Sequence, residues 1–482
     1  MKKILVASIL LALVASSGAF AASARWNALG GDHRFIIDTT NYTIYPGRIV
    51  LFGNALFIIP VPDFLDNNVA SGALLNVTEN MTWAFHYNLP SAGAKNLKKA
   101  LAGFTPEAGA LDGAERDLNR ADEGTSEWFK ARKALAVIMQ DDRLSALDIK
   151  PFPDLFWGMK MGKIVLGARL AMAMDSISDA ASIIQEPVME DETAVGMETK
   201  PAEEITTSAK ALDLSLGATM YETPAGDLDL GVRVGMQSFA GEDPNEDIEI
   251  SSTGGMDLAF DARLNKPLGE EKKNFTLVSL LGVNVGSLPS AEYDEVVAPN
   301  VTEVSYMKGD VGVGFRDKIK DKVTLIAGAV GGYGTTTSKP TTTVEIEPAE
   351  EGGEVTIEKK ELPETTDTSM SATVLAGCEF PITKWLTMHG GANVKFAAIT
   401  DEMVVQKVKE SWLGEGEVVT EDVVGQKKST SVDYYYNMGF RAVISGLIVD
   451  VILARNIVHR GPYFLTGATG NWGTEVCVTY KF

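Results

Sequence analysis

Charged side chains recur at alternate positions of otherwise apolar runs: Arg169, Asp213, Asp229, Arg233, Asp257, Asp261, Arg263, Asp310, Arg316, Lys395, Asp433, Arg441 and Asp450. The chemistry open to such groups is that of fixed charge in a polar interior. They either line a water path or knit a filled lumen together. The turn Ser445-Gly446 has two residues, so positions 441 and 450 face each other across a hairpin, which predicts an Arg441–Asp450 ion pair. Candidate lining residues are therefore Arg169, Arg233, Arg263, Arg316, His389, Lys395, Arg441 and Asp450. Catalytic chemistry finds little support. His33, His86, His389 and His459 share no metal-ligand spacing, and no serine sits in a Gly-x-Ser-x-Gly elbow. The expectation is no enzyme, no metal and no cofactor, with His389 lining the interior.

The elements that must position these charges are strands. Leu212, Leu214, Leu216, Ala218 and Met220 alternate with Asp213, Ser215, Gly217, Thr219 and Tyr221. After the turn Thr223-Pro224-Ala225-Gly226, residues 228–236 return in the same pattern. The grammar recurs at 153–161 with 164–175, 253–264 with 273–287, 304–316 with 322–334, 369–380 with 384–398, and 430–444 with 447–457. Residues 472–482 add a last strand. Thirteen strands from 153 onward require an odd number before them in an even-stranded barrel. The runs 49–58, 69–77 and 81–89 supply three, which predicts sixteen strands; one alone would give fourteen. Residues 90–152 break the pattern, with helices expected at 93–104 and 125–140. In the second, Trp128, Ala131, Leu135, Ile138 and Met139 share a face. That helix is either a lid packed on the rim, or Trp128, Leu135, Ile138 and Met139 form an apolar capture surface.

The ends place this all-β antiparallel barrel in an envelope. Met1-Lys2-Lys3, the apolar run Ile4 to Val14 and Ala19-Phe20-Ala21 read as an export signal over 1–21. In the final strand, Val476, Val478, Tyr480 and Phe482 alternate with Glu475, Thr479 and Lys481, oily outward and polar inward. A terminal aromatic residue looks like the signal by which barrel-assembly machinery recognises outer-membrane proteins, with both termini then periplasmic. Cys378 and Cys477 read as two buried thiols, a disulfide being the alternative.

The chain carries a formal charge of −22. Segments 175–210, 239–252, 335–367 and 400–429 hold 30 acidic against 9 basic residues, so the long loops carry most of it. An acidic rim repels nucleic acid, and divalent cations can bridge it to lipopolysaccharide phosphates; loops acidic simply for solubility read the same way. Outer-membrane lipid and lipopolysaccharide are the expected partners. Two loops read as strand extensions: Val344-Glu345-Ile346 pairing with Val355-Thr356-Ile357, and Met403 to Val408 with Val418 to Val424.

After cleavage the chain begins Ala24-Arg25-Trp26-Asn27-Ala28-Leu29-Gly30-Gly31, followed by Phe35-Ile36-Ile37-Asp38, Asn41 and Tyr45-Pro46-Gly47. This resembles the mature start of the outer-membrane long-chain fatty-acid transporter (FadL-type) superfamily and its secretion-system relatives. Asp154-Leu155-Phe156-Trp157-Gly158 through Ile164-Val165-Leu166-Gly167-Ala168 is similar to their early hairpin. Tyr45 and Gly47 depart from the usual Asn and Ala. The resemblance implies an N-terminal hatch, a fourteen-stranded barrel and a hydrophobic substrate that leaves sideways through the wall. Residues 22–47 are the expected hatch, with Gly30, Gly31, Asp32, Asp38, Asn41 and Pro46 as its marker residues, and 48–482 the barrel. Arg233, Arg263, Arg316 and Arg441 are candidate partners for Asp32 and Asp38. The expected function is passage of small hydrophobic molecules across the outer membrane. The alternatives are a general diffusion porin, or a docking barrel for secreted proteins or lipopolysaccharide.

Overall fold

Two alternating strands laid antiparallel put their apolar residues on one face and their polar residues on the other, and a one-residue slip would exchange the faces. A computed structural model describes residues 29, 32–36, 41–60, 69–89, 91–104, 109–121, 126–179, 184–190, 193–200, 204–244, 248–268, 275–294, 301–319, 322–346, 356–361, 363–409, 419–455 and 475–482. Sixteen of its strands form a closed antiparallel barrel. They are β1 (Ala55–Pro60), β2 (Val69–Thr78), β3 (Met81–Tyr87) and β4 (Asp154–Met161). Next come β5 (Ile164–Asp179), β6 (Ile205–Thr223), β7 (Gly226–Asp243) and β8 (Met256–Pro267). Then follow β9 (Phe275–Ser287), β10 (Val301–Ile319), β11 (Val323–Ile346) and β12 (Thr365–Pro381). The last four are β13 (Leu386–Lys409), β14 (Val419–Ile444), β15 (Leu447–Arg455) and β16 (Glu475–Lys481). Each pairs with the next, and β16 returns to β1 through Ala55↔Lys481 to Ile58↔Val478, which leaves no sheet edge.

Short turns close one end. Ser445 and Gly446 both take positive φ (48° and 86°), the conformation that a two-residue hairpin needs to match strand twist. At the other end strands run long: β11, β13 and β14 have 24, 24 and 26 residues, against about ten to cross a bilayer. Thr356–Glu361 pairs with the end of β11, matching Glu345 to Ile357, and β13 pairs with β14 up to Lys409↔Val419. Both expected extensions are present; Val355 and Val418 lie outside the described residues. Segment 175–210 is not a bare loop, because β5 and β6 extend into it and Ile184–Glu190 pairs with Thr193–Lys200.

The outer face carries exposed apolar side chains, among them Leu170, Met172, Leu214, Leu216, Val232, Leu281, Val283, Val311, Val313, Val374, Phe396, Tyr434, Tyr480 and Phe482. A girdle of that extent is stable against lipid and not against water. No described helix is long and apolar enough to cross a membrane.

Three expectations need correction. The run 49–58 enters the wall only at Ala55, because Pro46–Leu51 forms a 3₁₀ helix that buries Ile49 inside. The insertion holds α1 (Ala92–Leu101), α2 (Ala110–Arg120) and α3 (Ser126–Ala146), so one helix more than expected. Cys378 is exposed on the outward face of β12 while Cys477 is buried, and both thiols are free. Two buried thiols are therefore not what the fold makes. The export signal over 1–21 lies outside the described residues.

Candidate functional site

The inward face of the wall is where the alternating charges meet the N-terminal segment. Leu29 lies against Gly377 of β12, and the Phe35 ring against Gly314 of β10 and Gly328 of β11. Ile44 lies against Gly231 of β7, Pro46 against Gly217 of β6 and Gly167 of β5, and Ile49 against Gly158 of β4. The Tyr42 hydroxyl is 2.6 Å from His86 Nε2 on β3. A segment touching the inward face of strands from β3 round to β12 must run through the lumen. The glycines make room for it. A Cβ at Gly217 would stand 2.6 Å from Pro46 Cδ, and one at Gly314 would stand 2.6 Å from Phe35 Cε1.

A knot of three charges holds the segment. Arg48 donates two hydrogen bonds to Asp229, Nε to Oδ1 at 2.6 Å and Nη2 to Oδ2 at 2.8 Å. Arg263 Nε donates to the same Oδ2 at 2.8 Å, and the Thr219 hydroxyl donates to Oδ1 at 2.8 Å. Arg263 Nη1 reaches the segment itself: the carbonyls of Arg34 (3.0 Å) and Ile36 (3.3 Å) and Asn41 Oδ1 (3.0 Å). Arg48, Asp229 and Arg263 are all buried, which is tolerable only because each charge has an opposite neighbour and hydrogen bonds. Arg263 also stacks over the Tyr45 ring, 4.7 Å from its centre. Arg34 pairs with Asp32 at 3.0 Å and with Asp310 of β10. Burial opposes the Arg48 charge, but the hydrogen bonds and charge of Asp229 outweigh it and hold the pKa above its ordinary value. Burial pushes the Tyr45 phenol up as well.

Neighbouring pairs continue the pattern. Arg169 donates to Asp154 at 3.0 and 2.5 Å, and Arg233 to Asp257 at 2.5 Å. The helical insertion docks on the same side. Asp213 accepts the Gly93 backbone N–H at 3.0 Å beside Ser91, which caps α1. Thr207 donates to Gln140 of α3 at 3.1 Å. Around these contacts Leu97, Leu101, Ala136, Leu144, Ala209, Ala211, Phe239 and Ile250 form a buried apolar cluster.

The opposite side differs. Lys395 on β13 and Asp433 on β14 sit opposite each other in register, and both are exposed toward the lumen. Nearer the short-turn end, Arg441 and Asp450 make the expected pair, at 2.7 and 2.8 Å. His389 is buried there, with Nδ1 3.2 Å from Glu379 and Nε2 3.9 Å from Asp450.

The expected site residues thus fall into two groups. Arg169, Arg233 and Arg263 lie on the filled side, Lys395 on the open side, His389, Arg441 and Asp450 below it, and Arg316 half-buried on β10. Asp32 pairs with Arg34 of its own segment, while Asn41 and Pro46 are buried contacts of the wall. Gly30, Gly31 and Asp38 lie outside the described residues. On α3 the buried stripe is Ala136, Gln140 and Leu144; of the expected surface, Trp128, Leu135 and Ile138 are half-buried and Met139 is exposed. Sequence reasoning placed Arg48 in the wall and so missed its role. The signal was the Pro46-Gly47 break, two residues before an expected strand.

No family model matches the chain, and no curated protein matches it. Among solved structures it is similar to the siderophore receptor PiuA from Acinetobacter baumannii, at 8% identity over 63% of this chain and 47% of that one, with a TM-score of 0.37. It thus spans about half the length of that receptor. The toluene transporter TodX from Pseudomonas putida is similar at 8% identity over 95% and 96% of the two chains, with a TM-score of 0.34. The FrpB iron transporter from Neisseria meningitidis (F3-3 variant) follows at 10% identity, 89% and 81% coverage and a TM-score of 0.27. Likeness at this level assigns this chain neither family nor cargo.

Proposed function

We propose that this protein is an outer-membrane transport barrel that passes small, mainly hydrophobic molecules, with its N-terminal segment as the hatch. One observation carries the reading. The segment crosses the lumen and is held to the wall by a buried charge knot, so the filled side offers no wide water path. The resemblance of Leu29-Gly30-Gly31 and of the β4–β5 hairpin to the FadL-type superfamily adds to it. In this reading the short turns face the periplasm, the long strands face outward, and the rim acids meet lipopolysaccharide through divalent cations. The specific rival is a diffusion porin, favoured by the exposed polar residues Lys395 and Asp433 on the open side.

Single-channel conductance of the mature chain separates the two. A hatched transporter gives a small current that rises several-fold when residues 22–47 are deleted, with heat-modifiable gel mobility unchanged. A large steady current from the intact protein would establish the porin instead. Uptake of labelled alkane or fatty acid by cells carrying the chain is the test of cargo, and an undiminished uptake on removal of the barrel would end the proposal.

A further inference from the structure

The outer face of the barrel has a recess that lies outside the lumen. It encloses about 650 Å³ between Tyr87, Lys150 to Pro153, Met174 to Ser176 and Ser208 to Lys210. Its origin is local. Beyond His86↔Asp154, the place beside β5 is taken by Lys150-Pro151, paired with Met174 and Ala173. Pro151 and Pro153 have no N–H, so the ladder stops there and only Phe152 donates, to the Met172 carbonyl at 2.8 Å. The interruption leaves a notch in the outer wall.

Register sets what lines the notch. Lys150 pairs with Met174, and Met174 pairs with Lys210, so one row across three neighbouring strands reads Lys, Met, Lys. Pro151, next to Lys150, is buried beside Ala173, whereas Lys150, Met174 and Lys210 are exposed and point outward. Two strand spacings put the lysine Cα atoms about 10 Å apart. Their flexible stems can converge on one phosphate or hold two phosphates of a single headgroup. Among the described residues neither ammonium has a salt-bridge partner, in a chain with 65 acidic residues. Asp175, which also lines the recess, is engaged with the Asp148 backbone N–H at 2.7 Å.

Height decides the solvent. Met174 stands ten positions along β5 from Ile164 at the short-turn end. At about 3.4 Å per residue and a tilt of about 40°, that is about 25 Å, the full thickness of the apolar band. Below the row lie exposed Leu170, Met172 and Leu214; above it come Ser176, Ser178 and Ser208. A lysine on the lipid face is costly at mid-depth and nearly free at this boundary, where lipid phosphates lie. Exposed Tyr87 and Phe152 supply the aromatic rim typical of that level.

We propose that Lys150 and Lys210 clamp the phosphorylated headgroup of an outer-leaflet lipid, with Met174 and Phe152 against its first acyl carbons. The site lies outside the lumen, so it stands or falls independently of the hatch. The test uses the folded full-length mature barrel in neutral detergent, titrated with diphosphoryl lipid A, with bound lipid counted by native mass spectrometry. One lipid should stay bound, dephosphorylated lipid A should bind at least tenfold more weakly, and millimolar inorganic phosphate should not displace the lipid. The double variant K150Q/K210Q should lose at least tenfold in affinity for the diphosphoryl form alone. Should that variant fold poorly, S208E places a carboxylate in the recess without removing a lysine and should weaken binding in the same direction. Equal binding of the two lipids, or unaltered binding by the variants, would overturn the proposal. Displacement by inorganic phosphate would reassign the recess to a free anion and overturn it as well.

Discussion

Asp229 on β7 and Asp433 on β14 occupy equivalent places: each is a carboxylate at an inward position of an alternating strand, with a cation opposite on its neighbour. Asp229 faces Arg263 across β7 and β8, and Asp433 faces Lys395 across β13 and β14. Yet Asp229 is wholly buried and Asp433 is exposed. The strands do not differ in kind. What differs is the cover: the N-terminal segment and the insertion lie on the β3–β12 side and leave the luminal face of β13 and β14 open among the described residues. Alternation decides which residues point inward; only the packed segment decides whether an inward charge sits in a low dielectric or in water.

The largest test of that difference is Asp229→Ala. It strands Arg48 and Arg263 without a carboxylate, and breaking a buried pair from one side costs about 3–5 kcal/mol. Urea unfolding followed by heat-modifiable mobility should show a loss of that order, accompanied by a rise in conductance as the segment loosens. Asp433→Ala on the open side should change stability by less than about 0.5 kcal/mol. Equal losses at the two positions would break the comparison. A smaller effect sharpens it: Lys395→Gln with Asp433→Asn should leave unfolding unchanged and alter only the ion selectivity of whatever current the barrel carries. The same neutralisation at Arg48 should act on stability first.

The wall was legible in the sequence and its filling was not. Period-two alternation with tight turns located the sixteen wall strands, apart from the start of the first, and a two-residue turn was enough to pair Arg441 with Asp450, because those contacts are local in register. Arg48 and Asp229 are 181 positions apart, and no local pattern announces such a partner. Ile49-Val50-Leu51 reads as strand by composition, yet Pro46 starts a 3₁₀ helix whose Ile49 packs against Gly158. On α3 the buried stripe was missed since Gln140 counts as polar, although its Oε1 accepts a hydrogen bond from Thr207 inside the barrel. The α2 helix was missed because its apolar face is narrow, Leu111, Ala114 and Leu118 in an otherwise polar stretch, and none of its residues is buried. The wall glycines were visible as composition, but their purpose depends on which backbone approaches them.

Tyr45 gives the finest test of the filled side. Its hydroxyl is buried and finds no hydrogen-bond partner among the described residues, while its ring supports the Arg263 guanidinium. Phenylalanine keeps the ring and removes an unsatisfied polar group, so Tyr45→Phe should be neutral or stabilising by up to about 1 kcal/mol. The sign of its pH dependence follows from burial, which holds the phenol protonated above its ordinary pKa of about 10. A raised pKa in the folded state contributes stability that is complete below pH about 10 and is lost as pH climbs toward the folded value. The wild type should therefore lose stability on that alkaline side, and Tyr45→Phe should lose less of it. A variant with the same alkaline decline would show that Tyr45 meets solvent, and that the cover over the Arg263 knot is looser than its geometry implies.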